Sequence, residues 1–410
     1  MGRKILFIHQ NMPGQFKHLA AHYGADPANR VWFITKPKPL QIPGVEQRAY
    51  TPKRGVGRQT HRYLRGMEDG VLHAQAVANR CVEMRRQGEI PDVIVAHSGW
   101  GESLYVKDIF PEAAFLNYSE FFFRSSGGDM GFDPPGSTPS PDAMARLRTR
   151  NAQYLLALEA CDWALTPTRW QWSRHPSEYQ SKISVIHEGV DVDAVCPKPR
   201  WRLTLRNGQR LSREDEVITY VARNLEPYRG FHIFMRALPR ILARRPKAQV
   251  LIIGADGVSY GAPPADGVCY RERLLKEVKI DPRRVHFLGR LGYENFLSVL
   301  RISSAHIYLT YPFVLSWSMI EAMACGCLVI GSATAPVQEV IRDGHNGLLV
   351  DFFSPEDIAR RVDEVFAHPD RFQALRDAAR QTAVREFSLR DKCLPAQVAL
   401  VEALASGVLP

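Results

Sequence analysis

Short, uninterrupted apolar runs recur along the chain, and most are separated by stretches whose apolar positions have helical spacing. A run with no polar alternation is buried on both faces, as in a parallel sheet joined by helical crossovers. In the first half the predicted strands are Lys4–Ile8, Val31–Thr35, Val93–Ala96, Ala114–Asn117, Trp163–Thr166 and Ile183–Ile186, with helices over Tyr63–Gln87 and Asp142–Cys161. Between Asp191 and Asp215 the rhythm breaks: Pro197, Pro199 and the polar, basic stretch Trp201–Arg213 predict a domain boundary. A second series follows, with strands Val217–Ala222, Gln249–Ile253, Val285–Phe287, His306–Leu309 and Leu328–Gly331. Its helices are Phe231–Arg244, Tyr270–Val278, Asn295–Ser303 and Ser316–Cys325, and the tail from Ser354 to Leu404 reads as helical. The expected fold class is α/β, with two doubly wound parallel-sheet domains, residues 1–195 and 214–387, and residues 388–410 packing back on the first.

A chain of 410 residues exceeds one ordinary core, and its length alone implies two or three domains. No run approaches the ~18 apolar residues of a membrane helix, and the apolar part of Met1–His9 is short for a signal peptide. The cysteine count is odd, at seven, with no metal-site spacing, so a reduced cytoplasm is expected. A net charge of +10 points to an anionic partner: nucleic acid, an anionic membrane met peripherally at its inner face, or a phosphorylated substrate. No helix-turn-helix, zinc-finger or RNA-binding signature accompanies the charge, so nucleic acid is not expected.

Chemistry concentrates in the second half. In Tyr311-Pro312-Phe313-Val314-Leu315-Ser316-Trp317-Ser318-Met319-Ile320-Glu321 a strand ends, a Ser-flanked turn opens a helix, and a carboxylate follows about one turn in. The helix start offers backbone N–H groups to an anion, and Glu321 can accept from ribose or sugar hydroxyls. Arg223 closes the strand before a loop, and Arg229 lies six residues on, just before a helix. Two guanidinium forks at one strand-to-helix loop suit a diphosphate, two solvated surface arginines being the alternative. In the first half, His97 closes a strand ahead of Ser98-Gly99-Trp100-Gly101, at the sheet edge where ligands bind. Gly14 follows the first strand, in His9-Gln10-Asn11-Met12-Pro13-Gly14, and admits close backbone approach.

In order and spacing these segments, from about Ile5 to Val350, resemble the family-4 retaining glycosyltransferases. The resemblance implies the GT-B fold, two Rossmann-like domains facing across a cleft, with the donor on the second and the acceptor on the first. The segment Ala222–Gly230 is similar to the family's GR-x-x-x-x-KG loop, with Arg229 in place of Lys. Glu321 is then the ribose acceptor and His97 the histidine near the reacting carbon. Gly14 belongs to the N-terminal glycine loop, and Arg290 and Leu291 to the loop that seats the nucleobase. Glu339 lies in the family's C-terminal pattern. One departure stands out: the family's other glutamate, which contacts the transferred sugar, falls at Phe313. Either backbone N–H groups of Leu315, Ser316 and Trp317 hold the sugar, or a carboxylate such as Glu339 substitutes, or turnover is lost; the first is favoured.

The implied reaction moves a sugar from a nucleoside diphosphate to an acceptor hydroxyl with retention of configuration, in glycan or glycolipid biosynthesis. His97, Arg223 and Arg229 carry the chemistry, and neither metal nor cofactor is expected. The partners are a nucleotide sugar and a glycan, lipid-linked or other hydroxyl acceptor. A nucleotide-sugar epimerase of the same architecture and a non-catalytic binding homologue are the alternatives.

Overall fold

A computed structural model describes residues 2–409, which fall into two compact units, 2–189 with 390–409, and Val190–Leu389.

In the first unit seven parallel strands are ordered β3-β2-β1-β4-β5-β6-β7. They are β1 (Lys4–Ile8), β2 (Arg30–Thr35), β3 (Val45–Ala49), β4 (Val93–His97), β5 (Ala114–Tyr118), β6 (Trp163–Thr166) and β7 (Ile183–Val185). The central strands read as apolar runs because both faces are covered; Ile5, Phe7, Ile94 and Phe115 are fully buried. Strand β3, Val-Glu-Gln-Arg-Ala, is the polar edge strand that periodicity missed: it pairs on one side only, and of its five residues only Val45 is buried. The expected helix over 142–161 is two helices, Pro141–Arg150 and Ala152–Ala160, meeting at Asn151, whose side-chain amide donates to Phe123 O (2.8 Å). The C-terminal helix Leu394–Ala405 packs on the helix Lys17–Gly24 and on β4 and β5. Its Glu402 holds Arg3 (2.7 Å) and accepts from the Tyr23 hydroxyl (3.0 Å).

In the second unit six parallel strands are ordered β12-β11-β10-β13-β14-β15. The stretch read as a boundary folds as an antiparallel hairpin, β8 (Arg202–Thr204) and β9 (Arg210–Ser212). Its Leu203, Leu205 and Leu211 pack on the core of this unit, which therefore begins upstream of residue 214. The sheet strands are β10 (Val217–Asn224), β11 (Gln249–Ala255), β12 (Val285–Gly289), β13 (Ala305–Tyr308), β14 (Val329–Ser332) and β15 (Leu348–Val350). Helix Phe231–Arg244 places Phe234, Leu238 and Ile241 in the core, which is why its apolar positions recur every three to four residues.

Both strand orders reverse direction once, at β1/β4 in the first unit and at β10/β13 in the second. Beyond the carboxyl ends of strands at such a reversal, the two connecting loops diverge and leave a crevice. His9 follows β1 and His97 ends β4; Arg229 and Thr310 follow β10 and β13.

Candidate active site

In the second unit the register of β10 against β11 shifts between Val221 and Asn224, so Arg223 lies in a bulge at the strand end. Arg223 is exposed and has no hydrogen-bond or ion-pair partner among the described residues. Arg229 differs sharply: it is 6% exposed. Its Nη1 donates to Thr310 Oγ1 (2.6 Å), Val314 O (2.9 Å) and Tyr308 Oη (3.3 Å), and its guanidinium carbon stands 5.2 Å from the centroid of the Tyr260 ring. Among the described residues no carboxylate pairs with it. A buried cation with only neutral acceptors is under-compensated, and an anion is the missing partner. The residue after it must be glycine: Gly230 has φ +65°, and a Cβ there would stand 2.4 Å from Leu309 Cβ.

Tyr308 Oη also accepts from the Ser316 backbone N–H (2.7 Å), so one hydroxyl links Arg229 to the start of helix Trp317–Ala324. Ser316 caps that helix, its Oγ accepting from Ser318 N–H (3.4 Å). Leu315 is buried, and Trp317 is 43% exposed at the helix tip. Thus Arg229, Leu315, Ser316 and Trp317 are brought together, with the Ser316 N–H already engaged. Glu321, half-buried one turn on, accepts from the Tyr293 hydroxyl (2.7 Å). That carboxylate, together with burial, raises the Tyr293 pKa, burial being the larger cause.

Phe313 is buried in an aromatic cluster, edge-on to Tyr228 (5.5 Å) and Tyr260 (5.2 Å), while Tyr228 stacks on Tyr311 (4.7 Å). The loop bearing Tyr260 is pinned by Glu226, a carboxylate that is 1% exposed. Glu226 accepts from the backbone N–H groups of Ser259 (2.8 Å), Tyr260 (3.2 Å) and Gly261 (2.9 Å). Arg290 is exposed after β12, Leu291 packs against the core, and Glu339 is exposed at the end of helix Ala335–Gln338.

In the first unit a polar quartet occupies the β1/β4 crevice. His97, 2% exposed, lies between the rings of Trp100 (4.7 Å) and Tyr118 (5.2 Å), with His9 edge-on at 5.0 Å. Its Nδ1 accepts from Gly99 N–H (2.9 Å), which in the neutral ring leaves the proton on Nε2. That Nε2 is buried without a hydrogen-bond partner and faces Glu120 Oε2 at 3.6 Å. His9 Nδ1 accepts from Asn11 N–H (2.8 Å), and its Nε2–H donates to Gln15 Oε1 (2.8 Å). The Gln15 amide nitrogen in turn donates to Glu120 Oε1 (2.9 Å). Burial, reinforced by His97, pulls the His9 pKa down to about 3, so His9 is neutral at physiological pH. Gly14, with φ +51°, makes room for this ring: a Cβ there would stand 2.5 Å from His9 Nε2.

Periodicity and motif spacing did not single out Glu226, Tyr228, Tyr260, Tyr308, Thr310, His9, Gln15 or Glu120. Tyr308 and Thr310 meet Arg229 because β13 pairs with β10, a pairing between segments far apart in the chain. Gln15, beside Gly14, and Glu226, between the two arginines, carried a positional signal.

Both units resemble known proteins. Residues 27–195 match the family model described as glycosyl transferase family 4 group, and residues 203–382 the one described as glycosyl transferases group 1. A D-inositol 3-phosphate glycosyltransferase of Rhodococcus jostii (strain RHA1) is 27% identical over 207 residues, covering 50% of this chain and 44% of that protein. One from Mycobacterium sp. (strain KMS) is 30% identical over 187 residues, covering 46% and 40%. The chain thus aligns with less than half the length of these relatives. Among solved structures, Anabaena HepE in complex with UDP and glucose superposes with a TM-score of 0.69 at 16% identity, over 98% of this chain and 100% of that one. Sucrose-phosphate synthase from Thermosynechococcus elongatus does so with 0.72 at 18% identity, over 98% and 99%. At such identities the structural likeness speaks to fold alone. With both units matched by family models in chain order, and with parallel-sheet units of this topology, the chain belongs to the family-4 glycosyltransferases of GT-B type.

Proposed function

We propose that the chain transfers a sugar from a nucleoside diphosphate sugar to an acceptor hydroxyl, with retention of anomeric configuration. The observation that carries this reading is the buried Arg229, held by neutral acceptors and joined through Tyr308 to the N-terminus of helix Trp317–Ala324. The costly event in such a transfer is negative charge building on the departing diphosphate. A preorganised guanidinium and a helix N-terminus act on that charge without reorganising during the reaction. Arg223, in the bulge, adds a solvent-facing cation. Glu321 accepts from the ribose, Arg290 and Leu291 border the base, and Gly14 lets backbone approach the ligand in the first unit.

No side chain is assigned as a nucleophile. His97 positions the reacting partners, and the leaving phosphate helps to deprotonate the acceptor on the face it departs from. Arg223, Arg229 and the helix tip stand in for a metal, so turnover proceeds without one. Backbone N–H groups of the Leu315–Trp317 turn hold the sugar, and the exposed Glu339 is the secondary candidate. Anabaena HepE has been crystallised with UDP and glucose, and the curated relatives are named for inositol 3-phosphate, so UDP-glucose and inositol 3-phosphate are the first donor and acceptor to try. The acceptor class is a glycan, a lipid-linked glycan or another hydroxyl compound. No helix among the described residues is long and apolar enough to cross a membrane. The charge of +10 supports peripheral work at an anionic surface, which co-sedimentation with anionic vesicles tests.

Calorimetric titration with UDP, then product analysis with UDP-glucose with and without acceptor, tests the reading. UDP binding with acceptor-dependent glucose transfer is expected; release of free or rearranged sugar with no transfer would favour the epimerase. A non-catalytic binder is the second reading, favoured by one observation: Phe313 gives the aromatic cluster no carboxylate.

A further inference from the structure

Two arginines of the first unit are held together without a carboxylate between them. Arg124 lies in the loop after β5, and Arg174 ends the short helix Arg169–Arg174 that follows β6. Both thus stand past the carboxyl edge of the first sheet, where ligands of such sheets bind. Each clasps the other's stretch of backbone: Arg124 Nε donates to Arg174 O (2.8 Å), and Arg174 Nη2 donates to Ser126 O (2.8 Å). Each guanidinium also lies over a ring, Arg124 over Phe122 (5.4 Å) and Arg174 over Trp170 (4.9 Å). Among the described residues neither makes an ion pair, and Arg174 Nε is buried without a hydrogen-bond partner. Asp129 attracts Arg174 only from beyond ion-pair range, while burial first and then the charge of Arg124 lower the Arg174 pKa. A clasp onto a carbonyl needs no more than a neutral donor such as Gln. Two like charges brought together and partly desolvated, with donors to spare, are under-compensated until an anion joins them.

The turn between the two arginines is open to such an anion. Ser126 and Gly127 are exposed, and Gly127 has φ +64°. Chain neighbours aside, the only atom within 4 Å of the place a Cβ would occupy at Gly127 is Arg174 Nη1, at 3.6 Å. A ligand atom resting against this backbone therefore meets a guanidinium. The Ser125 and Ser126 hydroxyls and the N–H groups of Ser125, Ser126 and Gly127 make no hydrogen bond among the described residues, and they add neutral donors.

Charge selects the ligand. A metal cation is repelled, and a neutral hydroxyl leaves both charges uncompensated. A carboxylate brings one negative charge, whereas a phosphate monoester brings nearly two, with oxygens for both forks. We propose that Arg124, Arg174 and the Ser125–Gly127 turn form a phosphate-monoester site of the first unit. That the phosphate is carried by the acceptor rests on the glycosyl-transfer reading above; the site itself does not. The monoester belongs either to a soluble sugar or polyol phosphate or to a lipid headgroup, and the two sources separate by assay.

The test titrates the full chain with inorganic phosphate by calorimetry in an Arg229→Met background, which silences the anion site of the second unit. Arg124→Gln, Arg174→Gln and Gly127→Asn are then added one at a time, each checked for an intact fold by circular dichroism. Gln can still donate to the carbonyl; Asn tolerates the left-handed backbone, fills the notch and leaves both arginines in place. Phosphate is expected to bind the parent, and each added change is expected to weaken it at least about tenfold. Inositol 3-phosphate against inositol reads the soluble source, and co-sedimentation with phosphatidic-acid against phosphatidylcholine vesicles reads the lipid source. Loss in the soluble arm assigns a soluble monoester; loss confined to the vesicles assigns a headgroup. Phosphate affinity within twofold of the parent in all three variants overturns the inference, as does a parent that binds no phosphate or binds acetate as tightly. Weakened phosphate binding with neither arm changed overturns the assignment to an acceptor. Phosphate binding as expected in a chain whose wild type does not bind UDP contradicts the glycosyl-transfer reading and leaves the site standing.

Discussion

Replacing Arg229 by Met separates the cost of burying a charge from its use. Met approximates the volume of the Arg stem and carries no charge. In the free protein the guanidinium has already lost its water, and its acceptors are two hydroxyls and one backbone carbonyl. Removing it leaves Val314 O and Thr310 short of a donor, at about 1–3 kcal/mol. It also removes a buried charge that lacks a carboxylate, which offsets a comparable amount. The net change in the stability of the free protein is therefore expected to stay within about 1 kcal/mol.

Binding is another matter. A unit negative charge ~4 Å from the guanidinium interacts by ~4 kcal/mol at an effective dielectric of ~20. Part of that is lost in desolvating the phosphate, so a net loss of about 3 kcal/mol is reasonable, or about 150-fold in Kd. Arg229→Lys keeps the charge without the fork and should lose about tenfold. Isothermal titration with UDP at fixed salt reads both affinities, and thermal unfolding reads stability. A Kd for UDP in Arg229→Met within threefold of wild type, in a folded protein, would refute the reasoning.

Three other outcomes are expected. Burial lowers the pKa of His9 to about 3, His175 to about 4, His187 to about 4 and His306 to about 3. Each is protonated in the unfolded chain below about pH 6.5 yet neutral in the fold, so stability is complete above that value and falls as pH drops toward 4. Glu102, whose carboxyl is pushed up by burial, acts with the opposite sign. The four histidines outnumber Glu102, so melting temperatures scanned from pH 7 to 4.5 should fall, and a flat or rising profile would contradict it. Phe313→Glu should cost about 2–4 kcal/mol of stability, because it puts a carboxylate into the aromatic cluster, and should leave kcat no higher; a large rate gain would instead mark position 313 as the limit on turnover. Transfer from UDP-glucose should survive exhaustive chelation with EDTA, and loss restored by a divalent cation would overturn the assignment of the charge-stabilising role to the arginines and helix tip.

The sequence was most legible where elements are buried on both faces. Strands such as Lys4–Ile8 and Trp163–Thr166 and the helix Phe231–Arg244 appear at their predicted bounds, because continuous apolar runs and a three-to-four spacing have one physical reading each. The edge strand Val45–Ala49 and the hairpin at 202–212 were illegible because they are short, polar and stabilised by packing that no local pattern records. The site divides in the same way. Arg229, Gly230, Ser316 and Glu321 could be picked out as residue types at a strand-to-helix turn. That Arg229 is buried and Arg223 exposed could not, since the burial of Arg229 is made by Tyr308, Thr310 and Val314 from the neighbouring strand and its loop. Likewise Phe313 read as a missing carboxylate, while its edge contacts with Tyr228 and Tyr260 show a side chain built into a cluster.

The central claim is that a diphosphate is the anion Arg229 lacks. Its most direct test is a crystal structure of the chain with UDP. The account predicts phosphate oxygens within about 3.2 Å of the Arg229 guanidinium and at the first turn of helix Trp317–Ala324, with ribose hydroxyls on Glu321. UDP bound elsewhere, with Arg229 still held only by Tyr308, Thr310 and Val314, would contradict it.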